Sequence, residues 1–264
     1  MDTPITFTFM GTAAGCGVPA FFCTCPACEE ARANPAARRG DCGVMIEHHQ
    51  RLIIDTPPDL RQQFIRENVH EVDRLLYTHA HFDHLGGLGE LEYMVRLGKN
   101  IQLPTYGSPA AFETIHREFG YMDDCLDIHE VLPFEELDYD GVHYTALPVT
   151  HAPGTYGWLI ETPNTSLFYA SDTGPLPEAT AERVRGVDIM AMDATYWKKN
   201  WSPQNHHSIQ ECIAEALSLD VGTLYLTHMC MHYDEPITLA QLEDYLEQYE
   251  GRVKPAMDGL KITL

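Results

Sequence analysis

Residues 78–87 read THAHFDHLGG and follow a short apolar run, LLY at 75–77. Within six residues this stretch carries three imidazoles and one carboxylate, on His79, His81, Asp83 and His84. A strand that ends in a loop directs alternate side chains, here His79 and His81, to one side. The glycines Gly86-Gly87 are predicted to let the chain reverse tightly. Because imidazole and carboxylate together suit Zn, Mn or Fe, the stretch predicts a metal site rather than a solvated polar loop.

Three later residues repeat the same arrangement, in which a metal-binding side chain follows an apolar run. His151 follows LPVT, Asp172 follows FYAS, and His228 follows LYLT. One such histidine alone is more typical of a packed or surface residue. Three of them beside the histidine-rich stretch favour one metal site at the edge of a sheet core.

Three cysteines lie close together in FCTCPAC at residues 22–28, and we call Cys23, Cys25 and Cys28 the cysteine clip. The N-terminal residues lack a basic segment followed by an apolar one, so we expect no signal peptide and a cytoplasmic protein. In that setting the spacing predicts a metal clip rather than a disulfide framework. Tetrahedral zinc takes four ligands, so the fourth must come from elsewhere. The alternative is three unmetallated thiols, and we expect Cys42, Cys125 and Cys212 to be inert.

Composition and pattern predict one α/β domain over residues 1–264, with the clip region near 16–30. The 264 residues are 44% hydrophobic, which suffices for a sizeable core. The longest apolar runs are too short to span a bilayer. Gly15 and Gly17 in the Gly-rich loop predict either a close approach of the backbone to another group or a plain turn. We further expect a helix over 89–97, and a closing hairpin of two strands around Asp258-Gly259.

The formal net charge of -22 restricts the partners of this chain. Such a surface repels polyanions, and no Lys/Arg cluster exceeds two residues, so the sequence argues against a nucleic-acid partner. Membrane binding through anionic lipid is disfavoured for the same reason. A small anionic substrate stays compatible, because bound divalent cations dominate the field at their site.

The order of these motifs resembles the metallo-β-lactamase superfamily, over nearly the whole chain. The matching residues run from Asp55 through THAHFDHLGG to His151, Asp172 and His228. The resemblance implies a four-layer αβ/βα sandwich with two central β-sheets and two metal ions at one edge. It implies that one ion is held by three histidines (His79, His81 and His151), the other by Asp83, His84 and His228, and that Asp172 bridges both. Asp55 is expected to support the ligand histidines from behind.

A narrower resemblance rests on the cysteine clip, on Asn205-His206-His207 and on the GxxxGxGVPA pattern of residues 11–20. These features resemble the phosphoribosyl 1,2-cyclic phosphate phosphodiesterases of the carbon–phosphorus lyase pathway. The resemblance implies a structural zinc ion beside the two active-site ions, which are Zn or Mn. It closes the clip with His232, although Cys230 is a rival, because THMCMH has one residue more than the family pattern THxxH.

We expect two catalytic side chains, His206 from the same resemblance and Asp83 from the chemistry of a two-metal site. His206 would protonate the leaving oxygen, which typically contributes about 10²–10⁴-fold to a rate. The alternative for His206 is a surface residue at the start of a helix, and His207 is the weaker candidate. Asp83 would orient a hydroxide between two ions about 3.5–4 Å apart. Such ions lower the pKa of the water they bind to near neutrality. Tyr196, Trp197 and Trp201 could wall the pocket or simply pack.

The predicted function is therefore metal-dependent hydrolysis of a small cyclic phosphodiester, either a phosphoribosyl cyclic phosphate or a cyclic nucleotide. Alternatives within the superfamily are a tRNA 3′-processing nuclease and a thioester or lactone hydrolase. A non-enzymatic alternative is a binding protein similar to the coenzyme-pyrroloquinoline-quinone biosynthesis protein, which also has a CxCxxC clip. The complete set of seven candidate ligands favours an enzyme. The resemblance also makes a homodimer possible.

Overall fold

The computed structural model describes residues 4–99, 101–232 and 235–264. The first half of the chain contains six strands and four α-helices among these described residues. They are β1 (Thr6–Gly11), α1 (Pro26–Ala33), β2 (Gly43–Glu47), β3 (Arg51–Ile54), α2 (Leu60–Arg66), β4 (Arg74–Leu76), α3 (Phe82–Leu85), β5 (Leu103–Gly107), α4 (Pro109–Phe119) and β6 (Leu126–Glu130).

The second half has a similar mixture of strands and helices. Its elements are β7 (Glu136–Tyr139), β8 (Val142–Pro148), β9 (Tyr156–Glu161), β10 (Ser166–Ala170), α5 (Glu178–Arg183), β11 (Ile189–Asp193), α6 (Ile209–Ser218), β12 (Thr223–Thr227), α7 (Leu239–Leu246), β13 (Val253–Pro255) and β14 (Lys261–Thr263).

The strands form two seven-stranded sheets, which confirms the predicted fold class. One sheet has the order β14-β1-β2-β3-β4-β5-β6, and the other has the order β13-β12-β11-β10-β9-β8-β7. Strands β3 to β6 are parallel, and so are β10 to β13. The chain therefore has two mixed sheets between layers of helices, as expected of an αβ/βα sandwich.

Alternation along the strands explains how the layers pack. On β10, Leu167 and Tyr169 face the apolar cluster between the sheets, whereas Phe168 faces the cluster beneath α6 and α7. On β1, Phe7 and Phe9 also face the space between the sheets. Strands that are buried on both faces read as continuous apolar runs, which is why residues 167–170 show no polar alternation.

The prediction of a closing hairpin at Asp258-Gly259 is wrong. Strand β13 pairs with β12 in one sheet, whereas β14 pairs with β1 in the other. The turn therefore crosses between the sheets. The Asp258 carboxylate accepts hydrogen bonds of 2.8 Å from Thr12 Oγ1 and from the Gly40 backbone N–H. These tertiary contacts override the local preference of an Asp-Gly pair for a two-residue hairpin.

The helix predicted over residues 89–97 is helical but not an α-helix. A 3₁₀ turn spans Leu88–Leu91, and a π-helical segment spans Met94–Lys99. Within the part of the chain that the structure describes, no helix combines the length and the apolar character needed to cross a bilayer.

The topology brings the chemically important residues to one edge. In a run of parallel strands the carboxyl ends meet at the same edge of the sheet. Asp55 follows β3, Asp172 follows β10 and His228 follows β12, while the histidine-rich stretch begins after β4. Both sheets therefore contribute side chains to one site.

Candidate metal centre

Three histidines from two connections meet at this edge. The ring nitrogens of His79, His81 and His151 include a set that lies within 4.8 Å. The distance from His151 Nε2 to His81 Nδ1 is 3.1 Å, and the rings of His79 and His81 are 4.5 Å apart. Three converging imidazoles form a ligand set of the kind that holds zinc.

A second group surrounds Asp172. His84 Nε2 lies 2.9 Å from Asp172 Oδ2, and His228 Nε2 lies 3.1 Å from Asp172 Oδ1. Asp83 Oδ2 is 3.6 Å from His84 Nε2 and 3.5 Å from His228 Nε2. His151 Nε2, from the first group, is 3.8 Å from Asp172 Oδ1. The structure thus brings together all seven predicted ligands and places Asp172 between the two groups.

Orphaned polar atoms show that these residues fit bound cations. The Nε2 atoms of His79, His84 and His228, together with Asp172 Oδ2, are buried and lack a hydrogen bond of acceptable geometry to any residue that the structure describes. Buried polar atoms rarely remain unpaired, because desolvation without a partner is costly. Metal ions in this position would satisfy all four atoms.

The pKa values of the ligand groups shift in different directions. Burial alone would lower the pKa values of His84 and His228, but Asp172 and Asp83 raise them, that of His228 to about 9, so a bound cation would displace protons from these two rings. Burial lowers the pKa of His79 well below its usual value, so the imidazole is neutral and can donate a lone pair. Burial by itself would raise the pKa of Asp172, but His228 and His84 hold it well below its usual range. The central carboxylate is therefore ionised.

Asp55 supports the ligands from behind, as predicted. Its carboxylate accepts hydrogen bonds from Thr78 N (2.8 Å), Thr78 Oγ1 (2.7 Å) and His84 Nδ1 (2.8 Å). Thr78 Oγ1 in turn lies 3.0 Å from His79 Nδ1. Asp55 has a left-handed backbone with φ of 67°, which costs energy for a residue other than glycine. This network directs Nε2 of both histidines into the site.

Asp193 has the same role on the other side, and the sequence analysis missed it. It is fully buried at the end of β11 and accepts hydrogen bonds of 2.9 Å from Thr195 N and Oγ1. Thr195 Oγ1 lies 2.9 Å from His228 Nδ1, so it accepts a hydrogen bond from the Nδ1–H group and fixes the orientation of the ring. The signal was present, because Asp193 is another carboxylate directly after an apolar strand.

His206 and His207 have different surroundings. His206 Nδ1 lies 2.7 Å from Asp193 Oδ2, and its ring stacks on His228 at 5.5 Å. It is also 4.9 Å from the ring of His151, so it lies beside the ligands. His207 donates to the backbone oxygen of Thr173 and lies 2.7 Å from Glu215 Oε2. Both nitrogens of His207 are thus engaged away from the site.

Glycines at the edge of the site allow close approach. A Cβ on Gly15 would lie 3.0 Å from Asp83 Oδ2, so the predicted close approach of this loop is to a ligand carboxylate. Gly86 and Gly87 form the predicted turn, but neither uses a positive φ value. Gly87 is required instead because a Cβ there would clash at 2.0 Å with the backbone oxygen of Pro57.

The cysteine clip lies near the loop that follows His228. Ligand atoms of Cys23, Cys28 and His232 lie within 4.8 Å of one another. The backbone of Cys25 and the side chain of His232 hydrogen-bond to Cys23 and lower its pKa to about 7, whereas burial raises the pKa of Cys28 to about 12. His232 therefore lies where the predicted fourth ligand should be.

The rival fourth ligand is also close, together with a residue that the sequence analysis did not assign. Cys230 and Cys16 form a second set with His232 within the same 4.8 Å limit. Cys16 Sγ is 3.1 Å from His232 Nε2. The donors here exceed those that one tetrahedral ion requires.

The aromatic residues before His206 divide into two roles. Tyr196 lies edge-on to His206 at 6.1 Å and also contacts Trp201, so it borders the site. Trp197 instead packs against Tyr245 at 4.8 Å. Of the three predicted wall residues, Trp197 belongs to the packing.

Comparisons with known proteins agree with this geometry. Residues 50–229 match the Beta-lactamase superfamily domain. A crystal structure of a new diphosphatase from the PhnP family superposes with a TM-score of 0.86 at 28% identity, covering 100% of this chain and 98% of the other. The zinc-bound PqqB of Methylobacterium extorquens, at 19% identity and a TM-score of 0.82, shares the fold, with 98% and 100% of the two chains covered.

Two curated relatives are similar in sequence. A Ribonuclease Z of Mycobacterium sp. (strain KMS) is 29% identical over 65% of this chain and 69% of its own length. An Octanoyltransferase of Porphyromonas gingivalis is 34% identical over 97% of this chain, but the match spans only 51% of that protein. That name therefore describes a protein about twice the matched length. We conclude that the chain belongs to the metallo-β-lactamase superfamily and is a metal-dependent hydrolase that resembles the PhnP family within it.

Proposed function

We propose that this protein is a phosphodiesterase that opens a small cyclic phosphodiester, with a phosphoribosyl cyclic phosphate or a cyclic nucleotide as substrate. The observation that carries the proposal is the position of His206. It lies beside the ligand histidines and is held by the buried carboxylate of Asp193. A hydrolysis that releases an alkoxide needs a proton donor at this place.

The ligand residues divide the work of holding two divalent ions. His79, His81 and His151 would hold one, Asp83, His84 and His228 would hold the other, and Asp172 would contact both. When bound, such ions supply a hydroxide nucleophile and neutralise charge on the phosphoryl oxygens. Zinc or manganese suits this mixture of imidazole and carboxylate.

His206 would protonate the leaving oxygen through Nε2. Its Nδ1 is engaged by Asp193, so Nε2 is the nitrogen that can face a substrate. Asp193 keeps this tautomer and the orientation of the ring, as a buried carboxylate does behind a catalytic imidazole. His207 cannot replace it, because Thr173 and Glu215 occupy both of its nitrogens.

A small substrate fits the charge of the chain better than tRNA does. The net charge of -22 opposes binding of a polyanion, whereas one or two phosphates can be attracted by ions at the site. The similarity to Ribonuclease Z supports phosphodiester chemistry and makes a nuclease the second candidate. The binding-protein alternative is disfavoured, because all seven ligand side chains converge.

The experiment is a substrate panel for the zinc- or manganese-loaded protein. It contains ribose 1,2-cyclic phosphate 5-phosphate, a 2′,3′-cyclic nucleotide, a tRNA with a 3′ extension and an acyl thioester. We expect turnover of a cyclic phosphodiester that exceeds turnover of the other two classes by at least a hundredfold in kcat/KM, with His79→Ala inactive. Preferential cleavage of the tRNA or the thioester would overturn the proposal.

A further inference from the structure

Five cysteines gather around His232, and we call these six residues the thiol-rich cluster. They are Cys16, Cys23, Cys25, Cys28, Cys230 and His232. One tetrahedral zinc ion takes four ligands. The cysteine clip with His232 already supplies four, so Cys16 and Cys230 are in excess of the single structural ion that the sequence predicts.

The two additional cysteines are arranged around His232 as a second set. Cys16, Cys230 and His232 place one ligand atom each within 4.8 Å of the others, and so, separately, do Cys23, Cys28 and His232. Cys16 Sγ lies 3.1 Å from His232 Nε2, so both atoms can reach one ion through bonds of about 2.0–2.3 Å. Cys230 is buried, with 3% of its surface exposed.

We propose that Cys16, Cys230 and His232 form a second site for a thiophilic divalent cation, so that the thiol-rich cluster holds two ions. Thiolate and imidazole donors select zinc or cadmium over magnesium or calcium. Six donors can serve two four-coordinate ions when two of the thiolates bridge both ions and His232 binds one of them. The proposal does not depend on the substrate of the active site.

The charges of such a cluster nearly cancel. Each thiol releases its proton when it binds a cation. Five thiolates and two divalent ions then leave one net negative charge. The buried guanidinium of Arg39 lies close to the same segment, since its Nε is 3.2 Å from Met231 Sδ.

The second ion would also connect segments next to the catalytic edge. Cys16 follows Gly15, which packs so closely against the Asp83 side chain that a Cβ on Gly15 would lie 3.0 Å from Asp83 Oδ2. Cys230 lies two residues after His228. An ion shared by Cys16 and Cys230 would tie the loop beside one ligand to the loop after another. The site is therefore placed to restrict the motion of two loops that border the metal centre.

The test is ¹¹³Cd NMR together with metal analysis of the full chain titrated with cadmium alone. Thiolate-bound cadmium resonates far downfield of cadmium held only by nitrogen and oxygen, so cluster ions are counted separately from active-site ions. We expect two downfield signals at saturation. The Cys16→Ser/Cys230→Ser variant should show one, and Cys125→Ala, which removes a thiol elsewhere in the core, should keep two.

A single downfield signal from the saturated wild-type protein would overturn the proposal, as would two signals from the double variant. The wild-type count decides the matter even if the double variant fails to fold. The signals of nitrogen- and oxygen-bound cadmium report the active site independently. Failure of the proposed phosphodiesterase activity would therefore leave the two downfield signals unchanged.

Discussion

The metal centre and the thiol-rich cluster lie near one another but are built differently. In the metal centre the ligands follow strands of both sheets, and buried groups such as Asp55 and Asp193 fix their rings. In the thiol-rich cluster most donors lie in loops or at the start of α1, and several are partly exposed. The first site specifies geometry, whereas the second supplies donors in excess.

The difference reflects what each site must do. Catalytic groups need to be held within a fraction of an ångström, and a 1 Å displacement can cost about a hundredfold in rate. A structural ion only has to be chelated, so loops with adjacent cysteines suffice. Substitutions in the metal centre should therefore change turnover, whereas substitutions in the cluster should change stability and metal content.

The largest effect is expected from Asp172→Asn. The change keeps the shape of the side chain but removes the charge that lies between His84 and His228. Phosphodiesterase activity should fall to background, and the protein should lose active-site metal while it keeps the cluster ions. Metal analysis beside the assay checks both points. Full activity in this variant would show that Asp172 does not bridge the two groups.

The pair His206→Ala and His207→Ala separates the two adjacent histidines. His206→Ala should lower kcat by about 10²–10⁴-fold with unchanged metal content, because a proton donor is lost. The loss should be smaller on a nitrophenyl phosphodiester, whose leaving group needs no proton. His207→Ala should lower the melting temperature and leave this leaving-group dependence intact. Equal kinetic losses in both variants would contradict the assigned roles.

An intermediate effect is expected from Asp55→Asn. The carboxylate accepts three hydrogen bonds, and the amide cannot reproduce all of them. Groups that orient metal ligands typically contribute about 10–100-fold to affinity or activity. Competition with a chelator should show weaker binding of active-site metal by about that factor. Unaltered chelator resistance would mean that Asp55 only stabilises the fold.

The smallest kinetic effect is expected from Cys28→Ser in the clip. Cys28 is fully buried, so the loss of a ligand there should lower the melting temperature and the zinc content. Activity per folded, metal-loaded molecule should change less than in any variant above. Thermal unfolding and the assay, measured on the same preparation, test this. A loss of turnover as large as that of His206→Ala would show that the two regions are not separable.

Much of the metal centre was predictable, because its ligands follow strands and the spacing is local. His79, His81, Asp83 and His84 lie in one short stretch, and the apolar runs before His151, Asp172 and His228 indicate the same sheet edge. The parallel order of the strands then brings these positions together.

The missed features depend on tertiary contacts. Asp193 follows a strand, as Asp172 does. Only the fold shows that its carboxylate hydrogen-bonds to Thr195 and His206. Cys16 is far from Cys230 in sequence, and the crossing at Asp258 depends on contacts with Thr12 and Gly40. Local pattern carries no information about such pairs.

The most direct test of the central claim is phosphorus NMR of ring opening in ¹⁸O-enriched water. The metal-loaded protein is given ribose 1,2-cyclic phosphate 5-phosphate, with a 2′,3′-cyclic nucleotide in parallel. The account predicts a phosphomonoester that carries one ¹⁸O on the newly opened phosphate, formed more slowly by His206→Ala. Both rings left intact by a fully metallated protein, or ¹⁸O found on a sugar carbon, would contradict it.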